Sequence, residues 1–283
     1  MTGPMTGPMT GPMTGPGAVV DGLLADLVDE VGVLAGLLDG IPESSWSTPT
    51  PAPGWSVRDQ VAHLAHFDWV TRTCVAQPEE FAALRDGIPD LQAYVDSIGP
   101  ANASRDGQDH LRWWREQHER LVAAVRAAPE GTRVPWFGPS MSLASKVTAR
   151  IMETWAHGQD VVDALGLERP ATDRLRHVAR IGVLALPNSF ATHGREVPGT
   201  PIRVALTAPD GHSAWEWGDA DAADAVTGPA EDFCLVVTQR RHVEDTALRV
   251  SGPAATAWIE VAQAFAGPAG AGRRPGQFAG AAR

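Results

Sequence analysis

Residues 149–160 read Ala149-Arg150-Ile151-Met152-Glu153-Thr154-Trp155-Ala156-His157-Gly158-Gln159-Asp160. They lie inside a helical pattern over 140–165 that stops at Gly166, with Pro170 just beyond, the common order at a helix C-terminus. Glu153 and His157 are four apart and Asp160 follows three later, so all three share one helix face. A carboxylate and an imidazole at this spacing can share a metal ion in a bundle core, and they equally form solvated surface pairs. Working outward, the N-terminal part supplies the partners for a bundle. Leu23, Leu27, Val31, Leu34 and Leu38 recur at helical spacing within 19–38, and further helices are expected over 56–76 and about 106–127. Ser56 and Asp59 fit a capping box at the start of the second helix. The Pro-rich stretch at 46–55 cannot be helical, 77–103 reads as a short-helix excursion around three prolines, and 129–139 reads as a loop. Four long helices joined by loops make a bundle.

Beyond Pro170 the texture changes. One helix over 173–186 leads into short strands expected at 202–207, 213–218, 225–227 and 248–251, and a closing helix at 254–266. The apolar run 233–238 fits either a helix or a strand. The fold class is therefore α+β, a four-helix bundle at 18–168 followed by a smaller α+β domain at 169–267. Four copies of Met-Thr-Gly-Pro fill 1–16, so 1–17 is expected to be a disordered tail. The Gly/Ala/Arg-rich stretch 268–283 is expected to be another.

The net charge of −11 with no basic stripe argues against nucleic-acid binding. Lysine is nearly absent, which together with high Ala, Gly and Pro points to a GC-rich genome such as an actinobacterial one. Cys74 and Cys234 are far apart within apolar runs, so buried free thiols in a reducing cytoplasm are expected. No run is long enough to span a membrane, and the N-terminus lacks a signal-peptide pattern. The expected partners are a small-molecule substrate and at most a second copy of the chain, with neither membrane nor nucleic acid.

The second helix reads Val57-Arg58-Asp59-Gln60-Val61-Ala62-His63-Leu64-Ala65-His66-Phe67-Asp68. His63 lies among apolar neighbours, where it is either a core imidazole bonded to a backbone carbonyl or a ligand. His66 is either a pocket wall or surface. Gly54 through Asp59, followed by Val61-Ala62-His63-Leu64, resembles the second-helix signature of the DinB-like metal-binding bundles, and Glu153 through Asp160 resembles their fourth-helix signature. Within that family the sequence is most similar to the mycothiol-dependent maleylpyruvate isomerase type. That type's sterol-carrier-like C-terminal domain is echoed in Val226-Thr227-Gly228-Pro229-Ala230-Glu231-Asp232-Phe233, Arg240-Arg241, Gly252 and Trp258.

The resemblance, which spans about 18–267, implies a divalent metal ion held by His63, Glu153 and His157. Two imidazoles and a carboxylate with one open position suit catalytic zinc, and also Fe or Ni. Asp160, Asp59 or a backbone carbonyl could orient a ligand imidazole; Asp59 has its capping box as a competing role, and Asp160 could equally lie on the surface. The resemblance also implies a catalytic arginine from the second domain, matched here by Arg240, with Arg241 the alternative one residue on. Trp136 and Phe137 could wall a substrate mouth. The implied function is a metal-dependent isomerase or thiol transferase using mycothiol. A metal-dependent hydrolase or lyase without a thiol, and a non-enzymatic metal and apolar-ligand binding protein, are the alternatives.

Overall fold

The computed structural model describes residues 15–278. The Met-Thr-Gly-Pro repeats up to residue 14, and with them most of the expected tail 1–17, lie outside the described residues, as do 279–283. Four long helices form the first core: α1 (Pro16–Leu38), α2 (Val57–Ala76), α5 (Gly107–Ala127) and α6 (Leu143–Leu165). Between α2 and α5, α3 (Pro78–Asp86) and α4 (Leu91–Ala101) make the expected short-helix excursion. The Ser56 and Asp59 capping box forms, with the Ser56 amide donating to Asp59 Oδ2 at 2.8 Å. Gly166 ends α6 at φ 63°, a left-handed conformation that a side chain would strain. The loop expected at 129–139 holds a small hairpin edge instead, with β1 (Arg133–Val134) pairing antiparallel to β2 (Met141–Ser142). Ser142 then caps α6, its hydroxyl accepting from the Ser145 amide at 3.1 Å.

The remainder is built on a four-stranded sheet in the order β4-β3-β5-β6, from β3 (Ile202–Thr207), β4 (Ala214–Trp217), β5 (Asp224–Pro229) and β6 (Arg249–Ser251). β3 and β5 run parallel and the other pairs antiparallel. The helices α7 (Leu175–Leu184), α8 (Leu186–Thr192), α9 (Ala230–Val237) and α10 (Pro253–Ile259) complete it. The ambiguous run at 233–238 is thus helical as far as Val237: α9 begins directly after Pro229, and Glu231 and Asp232 occupy its first turn, where acidic side chains are favoured. The closing helix ends at Ile259 rather than near 266.

Two hydrophobic cores result, and α6 serves both. Its Val147, Ile151 and Val161 pack into the bundle, whereas Met152, Trp155 and Ala156 pack with Leu175, Phe233 and Trp258 of the second core. The face between these two apolar stripes is the polar one quoted above, so the topology places it where the two parts meet. Residues 268–278, which the sequence assigns to a tail, run back across this junction. Gln263 holds the Gly270 amide at 3.0 Å, and Arg273 donates to Asp160 at 2.9 Å. No helix among the described residues is long and apolar enough to cross a membrane.

Candidate metal centre

His63 on α2 and Glu153 and His157 on α6 converge, with one ligand atom from each lying within 4.8 Å of the others. Glu153 Oε2 is 3.2 Å from His157 Nε2 and 3.6 Å from His63 Nε2. Burial, aided by the neighbouring His157, pushes the His63 imidazole down to about 3, so it is uncharged at neutral pH with a lone pair to offer. Burial opposes charge on Glu153 too, but the two imidazoles outweigh it and hold its carboxyl well below the usual range. Neutral imidazole and ionised carboxylate are the protonation states that metal ligation requires. His63 Nδ1 is buried without a hydrogen-bond partner, an orphan polar atom in a ring otherwise walled by aromatics. Two imidazoles and a carboxylate fit a divalent ion.

The surroundings explain how the rings are aimed. His157 Nδ1 and Gln60 Oε1 lie 2.5 Å apart, and Gln60 Nε2 in turn donates to Thr50 Oγ1 at 2.9 Å. With Gln60 Oε1 accepting, His157 Nδ1 carries a proton and Nε2 is turned toward Glu153. Thr50 is held by the Pro-rich loop, where its amide and hydroxyl each donate to the Trp55 carbonyl at 2.8 Å. The same loop lays the Trp55 indole parallel to His157, with ring centroids 5.8 Å apart, while Phe67 packs against His63 at 4.6 Å. If Gln60 fixes the tautomer, Gln60→Leu should weaken metal affinity about 10- to 100-fold while leaving the fold intact. Metal-competition titration against a chromophoric chelator measures this.

The triad opens on a cavity of about 540 Å³, lined among others by Trp55, Phe67, Trp136, Phe137, Lys146 and Arg240. Trp136 and Phe137 therefore wall it, as the sequence anticipates. At its far end Asp160 joins two arginines, with Arg240 Nη2 on Oδ2 at 2.8 Å and Arg273 Nη2 on Oδ1 at 2.9 Å. Two guanidiniums sharing one carboxylate leave a positive surplus against the cavity. Arg241 turns instead to Asp163, donating to both of its oxygens at 2.7 Å, and stacks on Phe278 at 3.8 Å. Neither arginine lies on a strand: both follow α9 in a turn where Gln239 has φ 60°. A turn lets adjacent side chains diverge, which settles which of the two faces the cavity.

Residues 27–162 match the family model described as Mycothiol maleylpyruvate isomerase N-terminal domain. Two Mycobacterium tuberculosis proteins, Uncharacterized protein MT0041 of strain CDC 1551 / Oshkosh and Uncharacterized protein Rv0036c of strain ATCC 25618 / H37Rv, are each 44% identical over 251 residues, spanning 88% of this chain and 97% of theirs. The chain belongs to the mycothiol maleylpyruvate isomerase N-terminal domain family. Crystal structures of the mycothiol-dependent maleylpyruvate isomerase and of a mutant of it share the fold of this family member. Their TM-scores are 0.57 and 0.55 at 14% and 13% identity, covering 82% and 78% of this chain and 92% and 90% of theirs. Residues 198–251 match the family model described as Wyosine base formation.

Within this family member, the residues anticipated to orient a ligand do other work. Asp59 is committed to its cap, and Asp160 is buried with its two arginines rather than being an imidazole partner or a surface group. His66 bonds to the Tyr94 hydroxyl at 2.6 Å and does not line the cavity. Cys74 and Cys234 are free and buried, as expected.

Proposed function

We propose that this chain is a metal-dependent enzyme that binds a low-molecular-weight thiol, mycothiol or a close analogue, and uses it to isomerise or S-conjugate a small electrophile. The observation that carries the reading is a three-residue ligand set opening on a largely apolar cavity with a cationic far end. A divalent ion bound there, zinc or alternatively iron or nickel, would supply an open coordination position that stabilises a thiolate at neutral pH. The chain's own residues do the rest. Gln60 holds the His157 ring in one tautomer, and Trp55, Phe67 and Trp136 exclude water from the reacting centre. Arg240, which Asp160 anchors, offers a planar fork for a carboxylate of the substrate or the thiol. In a protein of net charge −11, an anionic ligand needs such a local anchor. The two buried free cysteines suit a reducing compartment, so we place the protein in the cytoplasm.

The test is consumption of maleylpyruvate, and separately of 1-chloro-2,4-dinitrobenzene, by metal-loaded protein with and without mycothiol. Turnover should require the thiol. Arg240→Ala should keep its ion and lose about 10- to 100-fold in kcat/KM, the worth of one charge-assisted hydrogen bond. Arg241→Ala should lose far less. Thiol-independent turnover would instead favour a hydrolase or lyase, and equal activity in both variants would remove Arg240 from the site.

A further inference from the structure

The chain contains a single lysine, Lys146, among its 23 basic residues. Lysines ordinarily stay on the surface, yet this one is 2% exposed and lines the cavity. Its Nζ lies 2.9 Å from the ring centroid of Trp136, and no hydrogen bond or ion pair holds it among the described residues. The groups facing it are Cys74 on α2 and Arg150 and Glu153 on its own helix. Burial pushes the Cys74 thiol up to about 11, so no thiolate pairs with the amine. Burial likewise pushes the amine itself down to about 7, which leaves a large share of it uncharged at neutral pH. Along α6, Lys146, Arg150, Glu153, His157 and Asp160 follow at spacings of four, three, four and three. One helix face thus carries the amine at one end of the cavity, the triad in the middle and the Asp160 arginines at the other.

We propose that Lys146 is a carbonyl-capturing amine, which condenses reversibly with an aldehyde or ketone group of the substrate lying along this face. The amine nitrogen adds to the carbonyl carbon, forming a C–N bond as the C=O π pair moves to oxygen. That oxygen takes protons from the nitrogen and from solvent and leaves as water, so the C–O bond breaks and a C=N bond remains. The Trp136 face, already against Nζ, stabilises the protonated imine as it does the ammonium. The capture shares its cavity with the proposed thiol reaction but needs neither the ion nor the thiol, so the two readings fail separately.

The single lysine makes the experiment clean, because the only other amine is the N-terminal one. The full chain, as purified and again after chelation, is incubated with pyruvate or with butanal and reduced with borohydride, and adducts are mapped by mass spectrometry. The expected result is one reduced adduct per chain on the peptide bearing Lys146, formed at least tenfold faster than at the N-terminal amine. Lys146→Arg should lose that adduct and keep N-terminal labelling; should this variant not fold, the map of the parent chain decides alone. An ammonium that serves only to pack against Trp136 would stay unlabelled. Labelling by both probes at the N-terminus alone, or labelling of Lys146 no faster than in the urea-unfolded chain, would overturn the proposal.

Discussion

Replacing His157 with alanine is expected to reduce the bound metal from about one ion per chain to near zero. The substitution removes one of the three proposed protein ligands and leaves Gln60 Oε1 without its partner, so affinity should fall by more than the roughly 100-fold that loss of an outer partner costs. Elemental analysis of protein purified without chelator reads the outcome directly. Glu153→Gln keeps the side-chain shape and loses the charge, so it should weaken binding without disturbing the bundle. Because an ion bound only by the native state stabilises it by mass action, chelation should lower the melting temperature. The shift corresponds to about 2.7 kcal/mol when free metal stands at 100 times Kd. Full metal retention in both His63→Ala and His157→Ala would show that the triad is not the site.

The other large effect lies behind the triad. Asp68 on α2 is 1% exposed and meets Arg150 of α6, whose Nε donates to Oδ1 at 2.9 Å, while the Trp114 indole of α5 donates to Oδ2 at 3.1 Å. Arg150 also donates to the Leu64 carbonyl at 3.2 Å, so one guanidinium pins together the two helices that carry the candidate triad. Asp68→Asn leaves a buried cation without its counter-charge and should cost about 3–5 kcal/mol, seen as a lower urea midpoint. The double variant Asp68→Asn with Arg150→Met should recover much of that loss, because burying two matched neutral groups avoids the orphaned charge. Burial opposes the Asp68 charge, but Arg150 and His118 outweigh it and hold the carboxyl below its ordinary value. A depressed carboxyl stabilises fully above the unfolded value of about 3.9 and loses that contribution as pH falls toward the folded value. The stability gap between the parent chain and Asp68→Asn should therefore be full at neutral pH and narrow as pH falls toward the folded value. A stability change below about 1 kcal/mol would mean that the pair does not fasten these helices.

What the sequence made legible follows from period and punctuation. The α2 and α6 stripes, the Ser56 cap and Gly166 each carry a local signal that places the two helices, whereas the meeting of His63, Glu153 and His157 was legible only through the family resemblance, because each residue alone reads as well as a core or surface group. Gln60 carried no such signal, since its partner on α6 is 97 residues away and a glutamine on a helix has no periodic meaning. The β1–β2 pair is too short for alternation to show. Residues 268–278 look like a tail because glycine, alanine and arginine promise no core, yet Arg273 is fastened by a carboxylate that the bundle had already buried. Arg240 was legible as one of a pair, but the choice between it and Arg241 depended on a turn whose geometry only the fold supplies.

The central claim, an ion held by His63, Glu153 and His157 with a position open to a thiol, meets its most direct test in cobalt(II)-substituted protein titrated with mycothiol. A sulfur-to-cobalt charge-transfer band should grow, saturate at one thiol per chain, and be absent in His157→Ala. A chain that holds no cobalt, or a cobalt-loaded chain whose spectrum is unchanged at saturating thiol, would contradict it.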